Sequence, residues 1–433
     1  ADIDLFVFGD SLSDTGNLFR KTAGASPPSP PYFDGRFSNG ALAVEQLAQS
    51  LGLPLDSSTN FAIAGARTDR TNIGDNAQIK LGGLLDEIDT FKPQAANLGA
   101  GAEDLYLVWA GGNDFFKLID NPGDPIAVVN TAVSNIVSSV QALAAAGAKN
   151  IVVAQTPNFG RIPLSLEAGQ LQNLTAVSVA FNTALATALN GFEQASPDKN
   201  IILTDLFPVS ENIIQNPAAF GFSNVTDQLI QNPSGDPNQF FFFDDVHPTT
   251  RGHSIFADAF RSSIVAGITD NITRGGTAKA DRLVTFSGKD LLNGRGANDY
   301  LEANGGRDVL LGGAGDDILL GGASADRLTG GIGQDTLTGG AGRDRFLYTN
   351  VNDGRDTITD FTVGQDLLDL SGVLNQFRYD RPNRFEARVR LRQTSEGAIV
   401  RVDTNGDLHG RFKTLALLSG VNAGDLSAAN FRV

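Results

Sequence analysis

Ser11 stands in Phe8-Gly9-Asp10-Ser11-Leu12-Ser13-Asp14, directly after the apolar run Leu5-Phe6-Val7-Phe8. A glycine break after a short strand would expose the Ser11 hydroxyl at a sheet edge, as a nucleophile needs. A serine attacks only when a neighbouring base takes its proton. The histidines are His247, His253 and His409, and His247 alone has a suitably spaced acid, in Asp244-Asp245-Val246-His247-Pro248. Asp244, three residues back, could orient the imidazole and stabilise its protonated form, with Asp245 as the rival carboxylate. Two further sites could bind a developing oxyanion: Asn113 in Gly111-Gly112-Asn113-Asp114, and Gly65 in Asn60-Phe61-Ala62-Ile63-Ala64-Gly65-Ala66. Taken alone, Ser11 reads equally well as a helix cap, competing with Ser13 and Asp14.

A second set of residues suits metal. Asp281, Asp290, Asp299, Asp308, Asp317, Asp326, Asp335 and Asp344 recur every nine residues, each followed two residues later by an apolar side chain. Three of the periods read G-G-x-G-x-D, ending at Asp317, Asp335 and Asp344. Glycine turns present carbonyls and the aspartates add charged oxygens, a donor set for a hard cation, Ca²⁺ first. These repeats resemble RTX nonapeptides, whose parallel β-roll makes one coil from two repeats. The resemblance implies that residues eighteen apart stack: Asp299, Asp317 and Asp335 on one edge, and Asp308, Asp326 and Asp344 on the other. Asp281 and Asp290 lack most of the glycines and are expected to close the stack rather than to bind well. Stacked carboxylates repel without cation, so metal is expected to drive this region's folding.

The elements that must hold these residues are legible. Short apolar runs at 105–110, 151–154 and 201–204 alternate with helical patterns at 41–51, 125–145, 164–192 and 249–268. Such alternation predicts an α/β three-layer domain. From Gly275 the composition turns to Gly, Asp and Leu, and after Phe346 to alternating strands such as 387–392. Acidic residues outnumber basic ones 49 to 33, for a net charge of −16, which argues against nucleic acid as a partner. Cysteine is absent, which removes disulfides, thiolate metal sites and a cysteine nucleophile. No apolar run approaches the ~18 residues of a membrane span, so no transmembrane segment is expected. The start at Ala1 carries no basic-then-apolar leader, which suggests trimming or an export signal elsewhere.

Gly9-Asp10-Ser11-Leu12, Gly65, Gly112-Asn113-Asp114 and Asp244-x-x-His247 resemble the four ordered blocks of the SGNH, or GDSL, lipases and esterases. Pro31 to Gly40 (Pro-Tyr-Phe-Asp-Gly-Arg-Phe-Ser-Asn-Gly) is similar to a segment of the lipase-like branch. The resemblance implies a flavodoxin-like sheet, Ser11 as nucleophile, His247 as base and Asp244 as its acid. It also implies an oxyanion hole of the Ser11 N–H, the Gly65 N–H and the Asn113 side chain. The α/β-hydrolase elbow G-x-S-x-G is not present around Ser11 and would not follow the first strand. The repeats resemble RTX nonapeptides, which implies a parallel β-roll with bound Ca²⁺, and secretion through a type I system of Gram-negative bacteria. Leu417 to Val433 resembles the closing segment of such proteins.

The expected plan is a hydrolase domain at 1–268, a linker at 269–280, a β-roll at 281–350 and a β-rich cap with the secretion signal at 351–433. The expected function is a secreted serine esterase or lipase acting on acyl ester or lipid substrates. Alternatives are a phospholipase or acyltransferase on membrane lipids and a non-catalytic calcium-binding surface protein. His253 reads as structural and His409 as a solvated loop residue. Phe240 to Phe243 reads as core, or as the wall of an acyl pocket. The stretch 403–407 reads as a hairpin turn, with a further ion site as the alternative.

Overall fold

The computed structural model describes residues 3–120, 123–375, 388–403 and 412–433, together with Phe385. His409 and most of the 403–407 turn lie outside the described residues. The chain divides into two compact units, Ile3–Gly267 and Ile268–Val433.

In the first unit β1 (Leu5–Gly9), β2 (Leu105–Trp109), β3 (Asn150–Gln155) and β4 (Asn200–Asp205) form a parallel sheet in that order. The first three are buried along their whole length. A strand covered on both faces has no polar side to present, hence runs such as Leu-Phe-Val-Phe and Leu-Tyr-Leu-Val-Trp. The chain does not simply step across the sheet. Asn60 bridges Val7 in parallel on the side of β1 away from β2, and the Ile63 N–H donates to Gly9 O at 3.0 Å. Strand order therefore reverses beside β1, and its carboxyl end opens on a switch point, where α/β sheets bind ligands.

Two groups of helices flank the sheet. Ala43–Leu51 packs on Thr250–Gly267, while Pro125–Ala145 packs on both Leu84–Phe91 and Leu171–Ala195. The expected helix over 164–192 is broken into Pro163–Glu167 and Leu171–Ala195. Gly169, at φ +66, turns the chain between them. Pro125–Ala145 is 21 residues long and reaches a mean hydropathy of 1.4, enough by length and composition to cross a bilayer. That differs from the expectation drawn from uninterrupted apolar runs, because Ser, Asn and Thr interrupt this helix without lowering its mean hydropathy enough. Val133, Ile136 and Val140 are buried against the neighbouring helices, while Ile126 is exposed.

In the second unit successive repeats alternate between two sheets, and neighbours within a sheet lie eighteen residues apart in parallel register. Leu292, Leu310, Leu328 and Phe346 align in one sheet; Leu283, Leu301, Leu319 and Leu337 align in the other. All eight are buried and form one core. The chain after Phe346 continues both sheets. Asp356–Ile358 pairs with one and Leu367–Asp369 with the other, and both carry on the parallel order. An antiparallel set, Val389–Gln393, Gly397–Asp403 and Phe412–Ser419, then adds to the first of these sheets. Its side chains Val400, Val402 and Leu418 belong to the same core as the repeat leucines.

Candidate active site

Gly9 ends β1 at φ +146, and a Cβ there would lie 2.0 Å from Trp109 O. Only glycine lets β1 approach β2 this closely and still turn. The turn places the buried Ser11 Oγ 2.7 Å from His247 Nε2. The capping role open to Ser11 falls to Asp14. One of its carboxylate oxygens accepts the Gly16 and Asn17 N–H groups, and the other those of Leu18 and Ala64.

His247 Nδ1 lies 2.8 Å from Asp244 Oδ2 and 2.9 Å from Oδ1. Oδ1 also accepts the Val246 and His247 backbone N–H groups, so the short Asp-x-x-His loop is closed by its own acid. With Nδ1–H donated to Asp244, Nε2 keeps the lone pair that can accept the Ser11 proton. Burial acts to lower the His247 pKa. The adjacent Asp244 charge and hydrogen bond, with Asp10 and Asp245 behind them, outweigh it and hold the group above its ordinary value. Burial likewise opposes ionisation of Asp244, but His247 and the two N–H donors keep its pKa low. Asp245 is not on the imidazole. It lines the cleft, and burial raises its pKa.

Gly65 takes φ +83 in a turn where a Cβ would meet Asn72 Oδ1 at 2.5 Å. Asn113 opens the helix Gly112–Asp120 and gives one amide hydrogen to Ala66 O at 2.9 Å, tying the two oxyanion candidates together. Asp114 pins the same loop through the Thr68 N–H and hydroxyl, each at 2.9 Å. Ser11, Gly65, Asn113 and His247 all line one cleft of about 830 Å³, with apolar walls that include Leu18, Phe37, Ile73 and Phe116.

Sequence reasoning missed Glu87. It is buried, and its two oxygens accept the Gly9 N–H at 2.7 Å and the Ile63 N–H at 3.1 Å. Burial pushes its pKa well above the carboxylate range. One side chain thus joins the turn before Ser11 to the turn before Gly65. The Pro31 to Gly40 segment also has a place. Ser38 Oγ donates to Pro248 O and Asn39 Oδ1 accepts the Thr250 N–H, both at 2.8 Å, so it clasps the loop that carries His247.

His253 is fully buried with neither ring nitrogen bonded among the described residues, and burial lowers its pKa to about 3. It is a neutral core residue. Phe241 packs on Phe222 and Phe256, and Phe242 and Phe243 are buried, so this run is core rather than cleft wall.

In the second unit Asp299, Asp308, Asp317, Asp326, Asp335 and Asp344 stack eighteen residues apart, as the resemblance implied. Each Oδ1 accepts the backbone N–H of the aspartate eighteen residues earlier. Each Oδ2 is buried and without a hydrogen-bond partner among the described residues. A Cβ on Gly294, Gly312, Gly321, Gly330 or Gly339 would come within 2.1 to 2.6 Å of one of these oxygens. For the first three, the carbonyl oxygen of the next coil lies as close to that point, at 2.5 to 2.7 Å. Orphaned carboxylate oxygens beside carbonyls, in a space only glycine leaves open, fit a hard cation. Among the described residues no group of three carboxylates or histidines is placed to hold a metal ion, and Asp335 has the Asp356 carboxyl beside it. Ala303 stands where Asp308 would have its glycine, and Asp281 Oδ2 is already taken by Thr277. Burial, with the charge of the neighbouring aspartates, raises Asp308, Asp317 and Asp326 to about 7.

The GDSL-like lipase/acylhydrolase family matches residues 5–260, and the RTX calcium-binding nonapeptide repeat matches stretches between 275 and 346. A phosphatidylcholine-sterol acyltransferase of Aeromonas hydrophila is 30% identical over 230 residues, covering 51% of this chain and 63% of that protein. A thermolabile hemolysin of Vibrio parahaemolyticus is 28% identical over 283 residues, covering 59% and 62%. A GDSL esterase/lipase of Arabidopsis thaliana is 27% identical over 307 residues, covering 58% and 80%. The chain spans less than two thirds of the length of the first two. The family match covers more than half of the chain and nearly all of the unit that brings Ser11 to His247; the chain belongs to the GDSL-like lipase/acylhydrolase family and carries RTX calcium-binding nonapeptide repeats in its second unit.

Proposed function

We propose that the chain hydrolyses carboxylic acyl esters through a covalent acyl-enzyme on Ser11. The observation that carries this reading is the hydrogen-bonded line from Ser11 Oγ to His247 Nε2, at 2.7 Å, and from His247 Nδ1 to Asp244, at 2.8 Å. Ser11 Oγ attacks the ester carbonyl carbon as its proton passes to Nε2. The Ser11 N–H, the Gly65 N–H and the second Asn113 amide hydrogen stabilise the oxyanion. Collapse breaks the bond to the alcohol oxygen, which leaves with the proton from Nε2. Water then attacks the acyl-serine, His247 takes its proton and returns it to Ser11, and the acid departs. The apolar cleft walls support an acyl chain as the group held.

A lipid bearing a phosphate is the second reading. Arg67 and Lys117 line the same cleft in a chain of net charge −16, and two of the relatives are named an acyltransferase of phosphatidylcholine and a hemolysin.

In the second unit Asp299, Asp308, Asp317, Asp326, Asp335 and Asp344, with the neighbouring glycine carbonyls, would hold Ca²⁺ in a parallel β-roll. Bound calcium supplies the counter-charge these carboxylates lack. The RTX match and the hemolysin relative support a protein that works outside the cell, and export by a type I system rests on the resemblance of the repeats alone.

Hydrolysis of short p-nitrophenyl esters across pH tests the chemistry. A protonated His247 cannot accept the serine proton, so activity should rise with pH. Because the group is held above its ordinary value, the midpoint of kcat/KM should lie above about 6.5. Absence of hydrolysis, or a limb in the carboxylate range, contradicts the assignment.

A further inference from the structure

We propose that Tyr32 is a positioning residue of this site, whose hydroxyl shares the charge of Asp244 and so sets how strongly that carboxylate holds the proton on His247. The proposal rests on the serine-esterase reading above. The Tyr32 hydroxyl donates to Asp244 Oδ2 at 2.9 Å, the same oxygen that faces His247 Nδ1 at 2.8 Å. Oδ1 is taken by the Val246 and His247 N–H groups. Tyr32 is therefore the one side chain, besides the imidazole itself, that donates to this carboxylate among the described residues.

The contact is built rather than incidental. The Tyr32 ring meets Phe243 edge-on at 5.1 Å and Phe37 at 5.5 Å, and Phe37 lies 5.1 Å from the His247 ring. Ser38 and Asn39 anchor the same segment to Pro248 and Thr250, beyond the histidine. Burial, with the Asp244 charge next in weight, holds the Tyr32 hydroxyl protonated far above its ordinary range, so it stays a donor throughout.

A donor on Oδ2 spreads the carboxylate charge and weakens its hold on imidazolium. Removing that donor concentrates the charge on His247 and makes it more basic. The other groups that bear on His247 are Asp10 and Asp245, which favour its protonated form, and neutral His253. Of these, Asp245 also bears on the Tyr32 hydroxyl, whose pKa its charge raises.

The test is the pH profile of ester hydrolysis by the full chain. Tyr32→Phe should move the acidic limb of kcat/KM up by ~0.5–1 pH unit, with the alkaline plateau lowered by less than about tenfold. Difluorotyrosine placed at Tyr32 is a more acidic phenol, a stronger donor of unchanged shape, and should move the limb down. It answers the question if the phenylalanine variant does not fold. A purely structural role would lower the plateau and leave the limb in place, and that result overturns the proposal. The downfield proton NMR signal of His247 Nδ1–H reads the same contact without turnover. It should shift in both variants, and no shift in either would also overturn the proposal. If the wild type hydrolyses no ester, the functional reading fails, while this signal still decides whether Tyr32 acts on the pair.

Discussion

Ser11→Ala is expected to lower kcat on a short acyl ester by a factor on the order of 10³ to 10⁶, with KM changed by no more than a few-fold. The reason is the division of labour in the cleft. Ser11 Oγ has one hydrogen-bond partner among the described residues, His247 Nε2, and other residues hold the rest of the site. Asp14 caps the following helix, Glu87 joins the two turns, and Asp114 and Asn113 hold the loop that follows Gly65. Deleting one oxygen leaves the walls of the cleft, and so substrate binding, in place. Circular dichroism and the melting temperature should match the wild type. An alanine variant that retains more than a tenth of wild-type kcat would mean that another group is the nucleophile, or that water attacks directly. Equal inactivity of both proteins on a broad ester panel would instead favour an inert hydrolase fold.

The second large effect is expected from withdrawal of calcium. The six stacked aspartates bury six Oδ2 oxygens that no group among the described residues satisfies. An unmet buried acceptor costs ~1–3 kcal/mol, and more when it is charged. Six of them reach or exceed the ~5–15 kcal/mol by which domains are stable at all. The second unit should therefore lose its strand signal in chelator and regain it as calcium is added back, since metal binding and folding are then one process. Calorimetry of the full chain should show a transition that shifts up by 10 °C or more with millimolar calcium and vanishes without it. A strand signal and a melting profile that ignore chelator would contradict this account of the repeats.

What could be read from sequence and what could not divide along physical lines. Ser11 was legible because a strand, a glycine and a serine are contiguous. Asp244 and His247 were legible because one loop carries both. The strict period of nine made the repeat domain legible, while the pairing of residues eighteen apart, seen at Leu292, Leu310 and Leu328, was expected from the resemblance to RTX nonapeptides. Glu87 left no such mark. It lies in a helix, Leu84–Phe91, where a charged residue beside Asp86 reads as solvated, and its partners are the backbone of Gly9 and Ile63. A side chain that satisfies distant main-chain groups has no spacing to betray it. Asp14 was open as a helix cap, but its bond to the Ala64 N–H was not legible, and Tyr32 lies 212 positions from the carboxylate it meets. The break at Gly169 was missed because the apolar pattern runs on across it, while the backbone turns.

Covalent trapping tests the central claim most directly. A fluorophosphonate mimics the ester at the point of attack and leaves a stable phosphonyl group on an activated serine. Incubation of the full chain, digestion and mass spectrometry should find one adduct, on the peptide carrying Ser11, formed slowly or not at all in His247→Ala. Adduct on a different residue, or full ester hydrolysis with Ser11 unmodified after complete reaction, would contradict the assignment of Ser11 as the nucleophile.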